Sequence, residues 1–347
     1  MMNGFADKLL NWHMENARDL PWRGETDPYR IWLSEVMLQQ TRTETVKRYY
    51  EKFLNEFQDV FALADAAEEK VLKLWEGMGY YSRAKNLHKA AKTVAYEMNG
   101  VFPKDAEGLK KLSGVGEYAS CAISSIAYGE RVPALDGNQA RVISRVLLIK
   151  KVIKTPAVLY EDALSLMPFS ETGEYNQALM GLGAMICTPR NPKCEMCPVN
   201  DLCLAHREKC EEELPVKPEK LQRRVEKRAV VIVLDNRGRV YVRKRGKGLL
   251  EGLWEFPNYE NARTIEDVAK CLQEEGVDAR YVKKLPSAKH VFTHLEWHMT
   301  GYLFKTENAP DDMRFVDGED MNALTFPSAI RVYREEAMKY TEENNDL

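Results

Sequence analysis

The sequence predicts an all-α domain followed by an α+β domain. From residue 3 to about residue 186, apolar residues recur at intervals of three and four, which is the spacing of amphipathic helices. From about residue 228 the period changes to two, the spacing of strands. Between the two patterns, residues 211–227 are charged and carry two prolines, which suits an exposed linker. We therefore predict domains at 1–210 and 228–347.

The helical part begins with short segments separated by Gly, Pro, Asp or Ser. Trp32, Leu33 and Val36 share one apolar face of a predicted helix. Asp27 and Pro28 mark its start, because Asp is a favoured N-cap and Pro is tolerated in the first turn. No alternating pattern of any length interrupts this region, so we predict helices alone.

The second part predicts a β-hairpin, a helix, more strands and a last helix. Its predicted elements are a strand at 228–234, a turn at 235–238, a return strand at 240–242, a helix at 264–275, strands between 279 and 304, and a helix at 327–340. The last few residues form an acidic tail. Helices and strands in this order are typical of an α+β domain.

The overall charge does not indicate a dedicated nucleic-acid binder. The chain has 50 basic and 53 acidic residues, a formal net charge of −3, so any contact with a polyanion must be local. Its first residues lack a basic region followed by an apolar run, and no segment is apolar for long enough to span a bilayer. We expect a cytoplasmic protein with no membrane partner.

Four of the seven cysteines lie within seventeen residues, at Cys187, Cys194, Cys197 and Cys203. Seven cysteines are too sparse in a chain of this size for a secreted disulfide scaffold. Their clustering therefore indicates a metal site. Structural zinc usually takes its four thiolates from two short knuckles, whereas this loop has only one Cys-x2-Cys pair. The spacing therefore favours an iron–sulfur cluster, with zinc as the alternative.

A glycine-containing turn, Leu112–Gly116, separates two predicted helices. Gly114 and Gly116 permit positive φ and let backbone N–H groups approach an oxygen closely. The helix that starts near Glu117 adds the donors of its N-terminus. This turn can hold a DNA phosphate without an excess of positive charge, and the apolar segment that follows it ends on Asp136.

Together, the glycine turn, the string Leu135–Asn138 and the four-cysteine loop resemble the helix-hairpin-helix DNA glycosylases of the endonuclease III superfamily. Four longer strings resemble the MutY-type adenine glycosylases within it: Leu20–Arg23, Trp32–Thr41, Trp75–Leu87 and Leu182–Thr188. The resemblance covers nearly the whole chain. It implies a helix-hairpin-helix domain with a [4Fe–4S] cluster in the loop 187–203, followed by a Nudix-like (MutT-like) domain.

The same resemblance implies an activity: hydrolytic removal of adenine mispaired with 8-oxoguanine or guanine in double-stranded DNA. We expect the enzyme to act as a monomer. Such a reaction needs protonation of the leaving base and stabilisation of a cation-like sugar, a task for two carboxyl groups in unlike settings. Glu35 lies in an apolar run that favours its neutral form, and Asp136 lies beside Gly137 and Asn138 in a polar turn that suits a carboxylate.

The resemblance also implies the roles of further residues. Glu35 protonates the adenine and helps to activate water, and Asp136 stabilises the cation. The assisting residues are Tyr118 and Asn138; the adenine pocket is lined by Trp22, Arg23 and Gln177; the DNA-contacting residues are Leu38, Gln40, Tyr80, Gly114, Val115 and Gly116; and the residues that read 8-oxoguanine are Phe292, Thr293 and His294.

Three positions depart from the family pattern. Ser113 replaces the usual hairpin proline, Ala119 a usual threonine, and Thr293 a common serine. The backbone donors of the hairpin and the hydroxyl of the reading loop are retained. We therefore expect Ser113 and Ala119 to alter the affinity for DNA rather than the function, and we expect discrimination of 8-oxoguanine to survive.

The sequence disfavours three rival functions. An endonuclease III-type glycosylase/lyase is disfavoured because its relatives carry an attacking lysine where this chain has Tyr118. A non-catalytic lesion-binding protein is disfavoured because both Glu35 and Asp136 are present. A Nudix hydrolase is disfavoured because its Arg-Glu pair is replaced by Ala269-Lys270, which weakens a magnesium site built from clustered acids.

Overall fold

A computed structural model of the chain describes residues 4–218, 222–262, 264–307 and 313–343. The chain divides into two compact units, Met1–Ala66 with Lys85–Lys220 and Ala67–Ala84 with Leu221–Leu347. The first unit is helical and the second contains the sheet, which confirms the predicted fold class. Residues 219–221 of the predicted linker and the end of the acidic tail, 344–347, lie outside the described residues.

Twelve helices precede the sheet within the described part of the chain. They are α1 (Phe5–Asn16), α2 (Pro28–Leu38), α3 (Thr43–Glu56), α4 (Val60–Asp65), α5 (Glu68–Leu74), α6 (Ser82–Lys92), α7 (Ala106–Leu109), α8 (Glu117–Tyr128), α9 (Gly137–Val146), α10 (Tyr160–Leu166), α11 (Thr172–Met185) and α12 (Leu204–Arg207). Of these, α5 belongs to the second unit. No described helix is long and apolar enough to cross a membrane.

Capping residues set the starts of the two helices that matter most for the site. Asp27 caps α2, where its side chain accepts a hydrogen bond from Tyr29 N at 2.9 Å and Pro28 occupies the first turn, as predicted. Asp136 caps α9 in the same way. A carboxylate at a helix N-terminus is stabilised by the free N–H groups there, so both caps follow directly from the local sequence.

Two packing contacts fix the site helices within the first unit. Buried side chains of α1, α9, α10 and α11 share one apolar core, to which Phe5, Ile143 and Leu179 contribute. Separately, α8 packs against α2. The helix ends that carry the candidate site residues are therefore anchored by cores formed from elements distant in sequence.

The second unit is built on a six-stranded sheet of order β6-β7-β1-β2-β8, with β5 paired to β1. Its strands are β1 (Arg224–Leu234), β2 (Val240–Tyr241), β5 (Asn258–Glu260), β6 (Ala279–Val291), β7 (Leu295–Thr306) and β8 (Phe315–Val316), and a separate pair consists of β3 (Arg243–Lys244) and β4 (Trp254–Glu255). β1 and β7 are parallel, and the other pairs are antiparallel. The predicted hairpin closes where Leu234 pairs with Val240.

Helices cover the two faces of this sheet. One face packs with residues of α13 (Ile265–Glu274), which begins at a capping box formed by Thr264 and Asp267. The other packs with α14 (Gly318–Ala323) and α15 (Arg331–Glu343). β1 begins at Arg224, inside the stretch predicted as linker, and the last helix begins at Arg331 after a 3-10 turn.

The segment Ala67–Ala84 is bound into the second unit by polar contacts. Glu76 Oε1 accepts a hydrogen bond from Arg334 Nη1 at 3.1 Å, and Tyr81 Oη donates to the carbonyl of Phe326 at 3.3 Å. Lys73 Nζ donates to the carbonyl of Leu324 at 3.3 Å. Helical residues far upstream in sequence thus belong to the unit that carries the sheet.

Candidate active site

Glu35 lies on α2, in the apolar run that the sequence indicated, and its residue surface is only 5% exposed. Burial raises the pKa of its carboxyl to about 7, an effect strengthened by the nearby Asp136 and opposed by Tyr118 and Arg23. Its Oε2 atom has no hydrogen-bond partner among the described residues. The group is therefore poised to hold a proton near neutral pH and to give it up.

Tyr118 lies one residue into α8 and faces Glu35. Its hydroxyl donates to Met180 Sδ at 3.0 Å and also lies against the Glu35 carboxyl. Burial first, and then the charges of Glu35 and Asp136, raise the pKa of the phenol well above its ordinary value. Tyr118 therefore remains a neutral hydrogen-bonding group.

Asp136 is surrounded by donors rather than by apolar side chains. Its Oδ1 accepts hydrogen bonds from Asn138 N at 2.8 Å and Gln139 N at 2.7 Å, and its Oδ2 accepts one from Asn138 Nδ2 at 2.9 Å. Donors of this kind stabilise the ionised form of a carboxylate. Glu35 and Asp136 thus occupy the unlike settings that the sequence predicted.

Arg141, one turn further along α9, holds this helix start to the neighbouring loop. Its guanidinium donates to Asn138 Oδ1 at 2.9 Å, to the Gly183 carbonyl at 2.7 Å and to the Cys187 carbonyl at 2.7 Å. Asn138, which contacts Asp136, is therefore connected through the Arg141 side chain to Cys187, the first cysteine of the four-cysteine loop.

Glu35 and Asp136 line one cavity of about 250 Å³ in the first unit. Of the predicted catalytic, base-pocket and DNA-contacting residues, the cavity brings together Trp22, Arg23, Glu35, Leu38, Tyr118, Asp136, Asn138 and Gln177. It also includes residues that were not predicted, among them Arg18, Thr41, Thr43 and Met180. Thr41 ends the string Trp32–Thr41 without having been assigned a role, and the other three belong to no motif, so only the fold brings them to the cavity.

The two glycines of the hairpin before α8 have different backbone conformations. Gly114 has φ +78°, a value that glycine permits, whereas Gly116 has φ −89° and ψ −177°, an extended conformation open to any residue. Ser113 Oγ donates to Asn86 Oδ1 at 3.1 Å, which ties the turn to α6. Val115 N donates to the Leu112 carbonyl, whereas the N–H groups of Gly114 and Gly116 form no backbone hydrogen bond within the described chain and can face an anion.

Gln40 and Tyr80 lie outside the cavity, each in its own unit. Gln40 has φ +56° and Tyr80 has φ +48°, the left-handed region that non-glycine residues rarely adopt. Both are exposed, Tyr80 by 50% despite its large ring. Backbone strain of this kind clusters at functional sites.

The three residues of the predicted reading loop join β6 to β7. Phe292 N donates to the Leu295 carbonyl at 2.8 Å and closes the turn, and the Phe292 ring packs edge-on against Trp297 with centroids 4.9 Å apart. Thr293 and His294 are exposed. Within the same unit, the hydroxyls of Thr293 and Tyr80 are 3.5 Å apart.

The four predicted cysteine ligands line a single small pocket whose walls are largely apolar. Burial raises the pKa of Cys197 to about 11 and of Cys194 to about 12, with neighbouring thiols adding to both. Four adjacent, partly buried thiols favour their charged forms only when cations lie among them, so this donor set fits an iron–sulfur cluster. The four cysteines would supply its ligands.

Two further features of this pocket have no sequence signal. Arg145 is fully buried and donates hydrogen bonds to Cys187 Sγ at 3.2 Å and to the Thr188 carbonyl at 2.8 Å. On the other side, Glu211 Oε1 lies 2.7 Å from His206 Nδ1 and accepts from Cys194 Sγ at 3.4 Å. Arg145 sits in an amphipathic helix pattern and His206 beyond the last ligand, so spacing rules do not single them out.

Comparison with known families matches three parts of the chain. Residues 33–168 match the HhH-GPD superfamily of base excision DNA repair proteins, residues 187–203 the iron–sulfur binding domain of endonuclease III, and residues 229–336 the Nudix domain. Adenine DNA glycosylase of Buchnera aphidicola (subspecies Schizaphis graminum) is 34% identical, covering 86% of this chain and 87% of the relative. The human adenine DNA glycosylase is 31% identical, covering 95% and 73%.

The chain belongs to the adenine DNA glycosylase family. Its predicted family, enzyme class and two-part fold are thereby confirmed. The iron–sulfur match confirms the predicted cofactor, a [4Fe–4S] cluster held by the four-cysteine loop. Members of this superfamily act on DNA, which confirms the partner at that level.

Two solved structures resemble the glycosylase over its helical part. A thermostable thymine-DNA glycosylase superposes with a TM-score of 0.55 at 30% identity, covering 59% of this chain and 95% of that one. An endonuclease III trapped as a covalent DNA intermediate superposes with a TM-score of 0.52 at 20% identity, covering 59% and 94%. The second likeness shows a shared fold alone.

Proposed function

We propose that this glycosylase removes adenine from A:8-oxoguanine pairs in double-stranded DNA, and from A:G pairs more weakly, without a strong strand-cleaving step. The observation that carries the chemistry is the pairing of two unlike carboxyls in one cavity. Glu35 is buried with a pKa near 7, and Asp136 is held by three N–H donors. This arrangement suits an acid and a cation-stabilising carboxylate.

In the proposed reaction, Glu35 gives its proton to the adenine ring as the N-glycosidic bond breaks, and the bonding electrons leave with the base. Asp136 stabilises the positive charge on the sugar. Water then adds to the sugar carbon and gives a proton to the Glu35 carboxylate, which leaves free adenine and an abasic site. Tyr118 and Asn138 orient the two carboxyls through the contacts described above.

The base must leave the helix to reach this cavity, because its glycosidic bond is inaccessible in a stacked duplex. We assign Trp22, Arg23, Leu38 and Gln177 to the pocket that receives it, since all four line the cavity. Gly114, Val115 and Gly116 are assigned to a backbone phosphate. Gln40 and Tyr80 are assigned to the duplex around the lesion, an assignment supported by their exposure and their strained backbone.

Recognition of 8-oxoguanine is assigned to the loop of Phe292, Thr293 and His294. Its exposed hydroxyl and imidazole can hydrogen-bond the edge of a base, and the Tyr80 hydroxyl lies 3.5 Å from that of Thr293. The Nudix domain is proposed as a reader rather than a hydrolase. Its buried Glu255 is paired with Arg243 and Arg245, which supports this reading because a carboxylate held by two arginines is a poor magnesium ligand.

Single-turnover excision of adenine opposite 8-oxoguanine tests the chemistry, with Glu35→Gln and Asp136→Asn beside the wild type. We expect both variants to lose most of the rate, and wild-type rates in both would overturn the catalytic assignment. Phe292→Ala with His294→Ala tests the reader, since the rate ratio between 8-oxoguanine and guanine duplexes should fall. An unchanged ratio would refute the reading loop.

A monomeric state and a cytoplasmic location complete the proposal. None of the seven cysteines forms a disulfide in the structure, and four of them would ligate an oxidisable cluster, which suits a reducing compartment. Light scattering of the purified protein, with and without duplex, checks the monomer. A stable dimer in the absence of DNA would contradict it.

A further inference from the structure

The chain between α8 and α9 reaches Asp136 through a buried stretch with few backbone partners of its own. Within residues 130–135, the described backbone forms one internal hydrogen bond, from Val132 N to the Glu130 carbonyl. Ala134 is nevertheless fully buried, and Leu135 nearly so. Buried peptide groups outside regular structure need hydrogen-bond partners from other parts of the chain or from ordered water.

Asn176, on α11, supplies hydrogen-bond partners for the backbone of this stretch. Its Oδ1 accepts a hydrogen bond from Ala134 N at 3.1 Å, and its Nδ2 donates to the Val132 carbonyl at 2.9 Å. The second Nδ2 proton goes to Ser125 Oγ on α8, also at 2.9 Å. Asn176 is fully buried, so the amide pairs with the chain much as a neighbouring strand would.

Asn176 also reaches the chain on the far side of Asp136. Its backbone carbonyl accepts a hydrogen bond from Gln139 Nε2 at 3.1 Å, and Gln139 N is itself a donor to Asp136 Oδ1 at 2.7 Å. Asn176 therefore holds the chain two residues before Asp136 and three residues after it. A shift of the backbone at Asp136 would therefore disturb contacts of Asn176 on both sides.

We propose that Asn176 is a positioning residue that holds Asp136 where the positive charge of the sugar develops. This inference rests on the proposed role of Asp136. Preorganised charges stabilise a transition state without reorganising, and a displacement of about 1 Å can cost about 100-fold in rate. Asn176 does not line the cavity, and it acts on the reaction only through the carboxylate that it places.

An equilibrium measurement separates this role from a general contribution to stability. The glycosylase is titrated with two duplexes that carry an abasic analogue opposite 8-oxoguanine: a pyrrolidine, which is cationic, and a tetrahydrofuran, which is neutral. Asn176→Ala should weaken binding of the pyrrolidine duplex by about tenfold or more and change binding of the tetrahydrofuran duplex by less than about twofold. Equal losses on both duplexes, or no loss on either, would overturn the proposal.

Tyr175→Phe is the matched control. Tyr175 is the preceding residue of α11, equally buried, and its hydroxyl has no hydrogen-bond partner among the described residues. This variant should keep the wild-type preference for the cationic analogue. A loss as large as that of Asn176→Ala would show that any disturbance of α11 has the same effect, and would refute the specific role of Asn176.

Two more variants complete the design. Ser125→Ala removes one hydrogen-bond partner of the Asn176 amide, and it decides the question if Asn176→Ala does not fold. A reduced preference for the pyrrolidine duplex supports the proposal, and a wild-type preference refutes it.

Asp136→Asn separates the proposed role of Asp136 from its proposed positioning by Asn176. If it retains the wild-type preference for the pyrrolidine, the catalytic assignment of Asp136 is at fault rather than the link to Asn176.

Discussion

Asn138 donates a hydrogen bond to each oxygen of the Asp136 carboxylate, from its backbone N at 2.8 Å and from its Nδ2 at 2.9 Å. The side chain thus fixes the plane of the carboxylate as well as its position. A hydrogen bond to a charged group contributes about 1.5–3 kcal/mol, and about 1.4 kcal/mol corresponds to a factor of ten. The pair therefore gives a quantitative expectation.

Replacement of Asn138 by alanine should lower the single-turnover rate of adenine excision by about 10- to 100-fold, because the Nδ2 donor is lost. The remaining donors, from backbone N–H groups, are unaffected by the side chain. Affinity for a duplex with a neutral tetrahydrofuran site should stay at the wild-type level. A rate within twofold of wild type would show that the side-chain bond has no catalytic role.

The pH dependence of the reaction should report Glu35. Because burial raises the pKa of its carboxyl to about 7, the excision rate should fall with rising pH above about 7, approaching tenfold per unit. Glu35→Gln should abolish this slope in whatever activity it retains. A wild-type rate that is flat from pH 7 to pH 9 would contradict the role of Glu35 as the acid.

Glu35 should also make the free energy of unfolding depend on pH. Its folded pKa, about 7, lies above the ordinary value of 4.5, so the folded state binds the extra proton. The contribution of the Glu35 carboxyl to the free energy of unfolding is fully present below pH 4.5 and is lost as pH rises to about 7. It amounts to about 3 kcal/mol, because each pKa unit corresponds to about 1.4 kcal/mol. In denaturant titrations, Glu35→Gln should therefore gain stability relative to wild type between pH 4.5 and 7.

The two hairpin glycines should respond differently to alanine. Gly114 has positive φ, and a Cβ there would lie 2.6 Å from Asn86 Cβ, so Gly114→Ala should disturb the turn and weaken duplex binding. Gly116→Ala should leave the turn itself intact, because its backbone is extended and nothing in the described chain lies within 4 Å of an added Cβ. Wild-type affinity in Gly114→Ala, measured at one salt concentration, would argue against a phosphate contact at this turn.

Tyr118 should decide whether the enzyme can attack the sugar covalently. Wild type should give no adduct with abasic DNA that borohydride can trap, because a phenol cannot form a Schiff base. Tyr118→Lys should give such an adduct, since the side chain faces Glu35 and Asp136 within the cavity. Tyr118→Phe serves as the control and should give none. Trapping by wild type through another amine would disprove the monofunctional assignment.

Arg145 should be needed to retain the iron–sulfur cluster. Its buried guanidinium donates to Cys187 Sγ and to the carbonyls of Thr188, Pro189 and Leu214. Arg145→Met leaves these acceptors without their donor, so iron and sulfide per mole of purified protein should drop. Arg190→Met, an exposed substitution in the same loop, should keep the full content. Equal contents would show that Arg145 is dispensable.

Local sequence was sufficient to predict several features. The apolar run around Glu35 predicted an apolar setting for its carboxyl, and Gly137 and Asn138 predicted a polar turn around Asp136. The structure adds that Asp136 caps α9, a contact that depends on adjacent residues. The cysteine spacing predicted the cluster loop in the same way. For Asp136 and for the cysteines, the residues that determine the feature lie within one short segment of the chain.

Other features depend on contacts between elements that are distant in sequence, and no sequence pattern predicts them. Met180 reaches the cavity because α11 packs near α8, and Arg145 is buried because a loop forty residues downstream folds over it. Gly116 illustrates a different limit, since a glycine in sequence permits positive φ but does not require it. Asn176 could not be predicted, because no sequence pattern distinguishes a buried asparagine in a helix.

The contacts of Glu76, Lys73 and Tyr81 with the second unit bear on how the enzyme can be shortened. A truncation that ends near residue 220 would delete Arg334 and the carbonyls of Leu324 and Phe326, and would remove these hydrogen-bond partners from the helical segment 67–84. Such a fragment should express poorly and be attacked by protease within that segment. The helical half is therefore unsuited to study as a minimal enzyme unless the surface of residues 67–84 is redesigned.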